Sequence, residues 1–208
     1  VEDRCIRDAV KLQEAVGLQA ITDGEFRRTW WHFDFLSGFD GFELGRPLDE
    51  GTFKSSEIEQ PPSARITGRL ARTRPIMIDH FSYLDGLTDR TAKFTVPGPS
   101  MAHFRAGRAG ISAAVYPDLA PFWDDLTAAY RAELGDLADH GCRYIQLDDI
   151  SYAYLCDSDV RSRLAAQGED PDALALTYAQ ALNASIRDLP DDVVTAIHMC
   201  RGNFQSTW

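Results

Sequence analysis

The stretch "GCRYIQLDD", residues 141–149, decides how the chain is read. Gly141 closes a helix-patterned run. The residues after it alternate, with Ile145 and Leu147 on one side and Gln146 and Asp148 on the other, as in a strand. Upstream, Phe122, Leu126, Ala129, Tyr130, Leu134 and Leu137 form a helical apolar stripe, for which Asp118 is the predicted N-cap. Downstream, a short helix is predicted over about 158–167. A second begins at Asp170-Pro171, a cap followed by proline at the first helical position, with Leu174, Tyr178, Ala181, Leu182 and Ile186 as its stripe. "VVTAIH" (193–198) is the next strand. Strands separated by helices of this length imply βαβ units and a parallel sheet.

The same alternation extends towards the N-terminus. Residues 2–16 read as a helix stopped by Gly17, and "LQAIT" (18–22) as a short strand running into "DGEFRR" (23–28). Residues 41–63 read as a long loop. "ARITGRLA" (64–71) and "RPIMIDHF" (74–81) are expected to pair as a hairpin insertion, and "AKFTV" (92–96) is a strand broken by "PGP". The polar residues gather at strand C-terminal ends, where parallel barrels and doubly wound sheets place their sites. There is no GxGxxG and no GxxxxGK[ST]. The expected fold class is therefore α/β, a (β/α)8 TIM barrel. It is expected to be incomplete, since a full barrel needs roughly 250 residues and this chain has 208. Residues 1–208 are read as a single partial barrel domain with a loop and hairpin insertion around 41–92.

Lys plus Arg is 21 and Asp plus Glu is 32, a net charge of −11, which argues against nucleic acid and anionic membrane as partners. No run approaches the ~20 apolar residues of a membrane span. Cys5, Cys142, Cys156 and Cys200 match no disulfide framework and are read as reduced thiols of a cytoplasmic protein. The chain starts without Met inside a helical pattern, so a true N-terminus is not expected at Val1.

Three strand ends carry candidate chemistry. His198 and Cys200 point the same way if the last strand continues, and both are ligand types that zinc takes. A buried His beside a free Cys is the alternative. Asp23 and Glu25 would share a face if their strand persists. Either could hold an amino group or act as a base, or the acids could decorate a helix N-terminus and pair with Arg27 or Arg28. Gln146 and Asp148 are polar residues in an otherwise apolar strand, a costly placement better explained by ligand binding than by packing. Asp149 is read as a cap for the segment after the strand. "TWWHFDF" (29–35) is read as core or lid packing. His32, His80, His103 and His140 show no ligand spacing.

Taken together, "ITDGEFRR", "KFTVPGPS", "GCRYIQLDD" and "HMCRGN" resemble, in order along nearly the whole chain, the cobalamin-independent methionine synthase family, and most of all its short members that carry the C-terminal catalytic barrel alone. The resemblance implies a zinc-dependent methyltransferase that moves a methyl group to the thiol of homocysteine and forms methionine. It maps two zinc ligands onto His198 and Cys200 and the homocysteine-binding carboxylates onto Glu25 and Asp148. It implies that the chain holds about the second to fifth barrel strands. The remaining zinc ligands and the proton-donating His are then expected beyond Trp208. The implied partners are a small-molecule thiol and a methyl donor, either methyltetrahydrofolate or a methylated corrinoid. The donor half departs from the family pattern: "MAHFRAG" (101–107) lacks the pterin tryptophan, and Tyr154 stands where the long enzymes carry a glutamate. A related alkyltransferase acting on another thiol, such as coenzyme M, and a non-catalytic truncated barrel are the alternatives.

Overall fold

The structure, a computed structural model, describes residues 1–45, 62–104 and 106–200. Helix α1 (Glu2–Ala15) buries Ile6 and Val10 and leads into the two-residue strand β1 (Ala20–Ile21). A short helix α2 (Phe33–Leu36) precedes β2 (Asp40–Gly45) and β3 (Ser63–Ala71). Then come α3 (Ile78–Asp85), β4 (Thr91–Pro97), a 3-10 turn at Pro99–Ala102, α4 (Ala120–Asp139) and β5 (Tyr144–Asp149). The last elements are α5 (Ser151–Leu155), α6 (Ser158–Ala166), α7 (Pro171–Ile186) and β6 (Val194–Met199).

The main sheet has the order β1-β4-β5-β6, and every neighbouring pair is parallel. The strands read from the sequence as ending near Thr22, Val96, Leu147 and His198 are thus parallel neighbours in chain order. The registers Pro97↔Asp148 and Asp148↔His198 align three strand ends at one edge. Ile21, Phe94, Val96, Ile145 and Leu147 are buried with the inner faces of α1, α3 and α4 in one core. A smaller cluster, Leu155, Val160, Leu164, Leu174 and Tyr178, joins α5, α6 and α7. Among the described residues β6 pairs only with β5, and Val194, Ile197 and Met199 are exposed. No helix among the described residues is long and apolar enough to cross a membrane.

The capping prediction at Asp170 holds: its carboxylate accepts the N–H groups of Asp172 and Ala173. Three local expectations fail. First, the hairpin is β2 with β3, antiparallel, not residues 64–71 with 74–81. Phe42 lies opposite Ile66, and Gly41 (φ +79°) forms an irregularity whose added Cβ would meet Gly68 O at 2.6 Å. Residues 78–85 are helical instead, because Ile78, Phe81 and Leu84 bury one face at a spacing of three. Second, the predicted long loop contributes strand β2, while residues 46–61 of it lie outside the described residues. Third, Asp118 is not the cap of α4. Leu119 holds that position without a side-chain cap, and Pro121 in the first turn lacks the N–H a cap would serve.

Two buried polar groups fix the packing. Glu133 of α4 is fully buried and receives Arg72 Nε at 2.8 Å and the N–H of Met77 at 2.7 Å, which ties the segment before α3 to α4. His103 is 1% exposed, lies against Trp123, and hydrogen-bonds through Nδ1 with the Tyr178 hydroxyl at 2.9 Å. Burial holds its imidazole down to about 4.

Candidate functional site

The strand β1 does not persist through "DGE". It ends at Ile21, and residues 24–27 form a turn. Asp23 and Glu25 therefore do not alternate as strand neighbours. Asp23 is buried, and its Oδ1 accepts the backbone N–H of Glu25 at 2.9 Å. Glu25 takes a left-handed backbone conformation (φ +57°), which is uncommon for a residue with a side chain. The role of Asp23 in this geometry is to hold that backbone. Of the alternative, the helix terminus falls, since α2 begins only at Phe33, but the pairing with Arg28 holds, its Nη1 lying 3.2 Å from Glu25 Oε1.

The turn brings the Glu25 carboxylate towards the end of β5. Burial raises its pKa above the ordinary carboxylate value; Arg28 draws it down, and the charges of Asp148 and Asp23 push it up. Burial likewise raises Asp148, against the pull of Gln146, His198, Arg28 and Lys93. Gln146 Nε2 donates to Asp148 Oδ1 at 2.7 Å, so the two polar residues of β5 do share a face. The burial of Ile145, Leu147 and Asp149 marks the opposite face.

Asp149 is structural. Its carboxylate accepts the N–H and hydroxyl of Ser151 and the hydroxyl of Ser100. It thereby starts α5 and fixes the turn after β4. A Cβ at Gly98 would come within 2.8 Å of Asp149 Oδ2, and Gly98 N–H donates to the Asp148 carbonyl at 2.6 Å. The glycine of "PGP" is thus required by the close approach of two strand ends.

His198 is the register partner of Asp148 in β6 and is exposed. Cys200 lies one residue past the strand, half-buried, and its N–H donates to the Asp149 carbonyl at 3.2 Å. Arg201, Gly202 and Asn203 of the same motif lie outside the described residues. Among the described residues no group of three His, Cys, Asp or Glu side chains is placed to hold a metal ion. The imidazole and thiol fit zinc in kind, but they are two donors, whereas catalytic zinc keeps three protein ligands. Cys142 is fully buried, with its thiol pushed up by burial to about 11, which makes it a packing residue.

In the sequence Arg28 reads only as a possible ion-pair partner. Its side chain is 2% exposed and reaches Glu25 Oε1 at 3.2 Å and the Thr95 carbonyl at 2.5 Å. The available signal was a charged residue three positions after Glu25, but nothing local announces the contact with Thr95.

Comparison with known proteins places the chain in a family. The family model described as cobalamin-independent synthase, catalytic domain, matches residues 2–207. The uncharacterised protein YxjH of Bacillus subtilis is 36% identical over 211 residues, covering 100% of this chain and 54% of YxjH. A 5-methyltetrahydropteroyltriglutamate–homocysteine methyltransferase of Corynebacterium efficiens is 27% identical over 205 residues, covering 96% of this chain and 24% of that enzyme. A solved structure from Listeria monocytogenes, provisionally named a vitamin-B12-independent methionine synthase, superposes with a TM-score of 0.76 at 38% identity, covering 98% of this chain and 55% of that one. The chain belongs to the cobalamin-independent methionine synthase family, as a catalytic-domain member. It spans about half the length, or less, of the curated relatives it matches.

Proposed function

We propose that this chain carries the thiol-binding part of a zinc-dependent methyltransferase that moves a methyl group to homocysteine and forms methionine. The observation that carries the reading is the convergence of Glu25, Asp148 and His198 at one sheet edge, with the two carboxylates each raised by burial and only partly compensated. Like charges in a half-buried site call for a cation. The α-ammonium of an amino-acid thiol is such a cation. Glu25 would pair with it and Asp148 would accept its hydrogen bonds. Family membership supports a methyl transfer to a thiol, because relatives such as the C. efficiens protein are named for that reaction.

We read the four parallel strands as an arc of a (β/α)8 barrel and β2–β3 as an insertion within a single domain spanning 1–208. The order β1-β4-β5-β6, with helices in its connections and polar residues at the strand ends, supports this. His198 and Cys200 would hold the zinc together with ligands outside the described residues. Zinc held there would supply the Lewis acidity that keeps a substrate thiol, of ordinary pKa about 8.5, as thiolate at neutral pH. The residues of this chain supply orientation: the carboxylates fix the amino-acid end, so that the sulfur faces the end of β6. The methyl donor stays open between methyltetrahydrofolate and a methylated corrinoid. Tyr154, packed on Phe104 with ring centroids 5.3 Å apart, occupies the position where the resemblance expects a glutamate.

The test uses the full-length protein. Glu25→Gln keeps the shape and removes the charge. It is expected to weaken homocysteine binding by roughly 1–3 kcal/mol, the range for a hydrogen bond to a charged group, with zinc content unchanged. Homocysteine turnover indifferent to the substitution, or a wild-type preference for coenzyme M, would sink the reading. Unchanged zinc content in Cys200→Ser would remove the metal assignment.

A further inference from the structure

Arg28 is the buried cation of the site. Its guanidinium lies over the ring of Phe94, 5.4 Å from the centroid, and Phe94 is 1% exposed. A guanidinium so placed is costly unless its N–H groups and its charge are answered. Nη2 donates to the Thr95 carbonyl of β4 at 2.5 Å, Nη1 faces both the Trp31 carbonyl at 3.4 Å and Glu25 Oε1 at 3.2 Å, and Nε is buried without a hydrogen-bond partner among the described residues. Its own backbone N–H donates to the Glu25 carbonyl at 2.9 Å and closes the turn. One side chain thus joins the turn after β1 to the adjacent strand β4 and grips the Glu25 carboxylate between them. Glu25 otherwise has three rotatable side-chain bonds to order.

We propose that Arg28 is a positioning residue for substrate recognition: its guanidinium, tethered to the carbonyl of Thr95 in β4, holds the Glu25 carboxylate in the orientation that meets a substrate ammonium. The inference rests on the reading of Glu25 given above. It requires arginine, because the fork reaches two acceptors in different directions at once. A lysine keeps the charge but reaches one acceptor. The contacts also assign the direction of the effect. Arg28 acts through Glu25, so it matters for thiols that carry an amino group and not for those that lack one.

The experiment is calorimetric binding of homocysteine and of 4-mercaptobutyrate, which lacks the amino group, to the full-length zinc-loaded protein. The variants are Arg28→Lys, Arg28→Gln, Glu25→Gln and the two double variants, each checked by thermal melting. Arg28→Lys and Arg28→Gln are each expected to weaken homocysteine roughly tenfold, equivalent to about 1.4 kcal/mol. Binding of 4-mercaptobutyrate is expected to stay the same. On the Glu25→Gln background neither Arg28 substitution is expected to add a further loss. Equal losses for the two thiols would show a merely structural arginine, and additive losses would show action independent of Glu25; either overturns the inference. So would unchanged or tighter homocysteine binding in the Arg28 variants while Glu25→Gln weakens it. If Glu25→Gln itself leaves homocysteine binding unchanged, the ammonium reading fails and takes this inference with it. Should Arg28→Gln not fold, Arg28→Lys, which retains the buried charge, decides alone.

Discussion

Glu133 and Glu25 each face an arginine, yet their surroundings differ. Glu133 is fully buried in α4, and both of its oxygens are occupied: Arg72 Nε donates to Oε2 at 2.8 Å, and the N–H of Met77 to Oε1 at 2.7 Å. The N–H of Ile76 adds a further contact at 3.1 Å, and Arg72 goes on to bind Asp136. The Glu25 side chain is 29% exposed, meets Arg28 at 3.2 Å, and sits near the like charges of Asp148 and Asp23. A buried carboxylate with every acceptor filled holds elements together. One left half-buried beside like charges is a group waiting for a cation. The difference separates framework from site without reference to any relative.

The strongest way to break this contrast is at its framework end. Glu133→Leu removes one of the two carboxylates that Arg72 pairs with and strands two backbone N–H groups, and is expected to lower the unfolding free energy by about 3–5 kcal/mol in urea titrations. A variant as stable as wild type would mean that the filled carboxylate is not structural.

His103 sharpens the contrast with a neutral buried group. Its folded pKa of about 4 lies below the ordinary 6.5, so the unfolded chain takes up the proton first. Its stabilising contribution is therefore complete above pH 6.5 and is lost as the pH falls towards 4. Urea midpoints from pH 7 to 4 are expected to fall less steeply in His103→Gln than in wild type, the gap closing by at most about 2–3 kcal/mol. Parallel profiles would contradict the assignment.

The smallest effect belongs to the site. Asp148→Asn keeps an acceptor for Gln146 and removes one of the crowded charges. It is expected to leave stability unchanged or raise it by about 1 kcal/mol near neutral pH, as relief of an active-site compromise does, while weakening amino-thiol binding. The sign comes from proton uptake. With folded pKa values raised above 3.8 for Asp148 and 4.5 for Glu25, the native state holds protons that the unfolded state has lost. Stability attributable to these groups falls as the pH rises through the raised values, so the advantage of Asp148→Asn should shrink on acidification. A clear loss of stability in Asp148→Asn would place Asp148 with Glu133.

Much of this was legible in the sequence because it is local. The alternation of Ile145 and Leu147 with Gln146 and Asp148 gave both the strand and the face that carries the polar pair. The parallel order followed from helices of adequate length between short apolar runs. The partner of β3 was not legible, since "ARITGRLA" and "RPIMIDHF" both read as strands. Only the spacing of Ile78, Phe81 and Leu84 betrays a helix in the second. Nor was the backbone of Glu25, whose left-handed turn depends on a carboxylate two residues earlier. Arg28 reaches a carbonyl 67 residues away, and no local pattern encodes such a contact.

The backbone of Glu25 has a consequence for how this position can change over generations. At φ +57° any side chain carries a strain of roughly 1–2 kcal/mol that glycine escapes. Backbone strain alone therefore favours glycine at 25, the buried charge of Arg28 favours a carboxylate there, and a population sorted for expression level would report which of the two dominates. Where that sorting yields glycine, retention of glutamate under sorting for turnover would show two selective pressures opposing each other at a single codon.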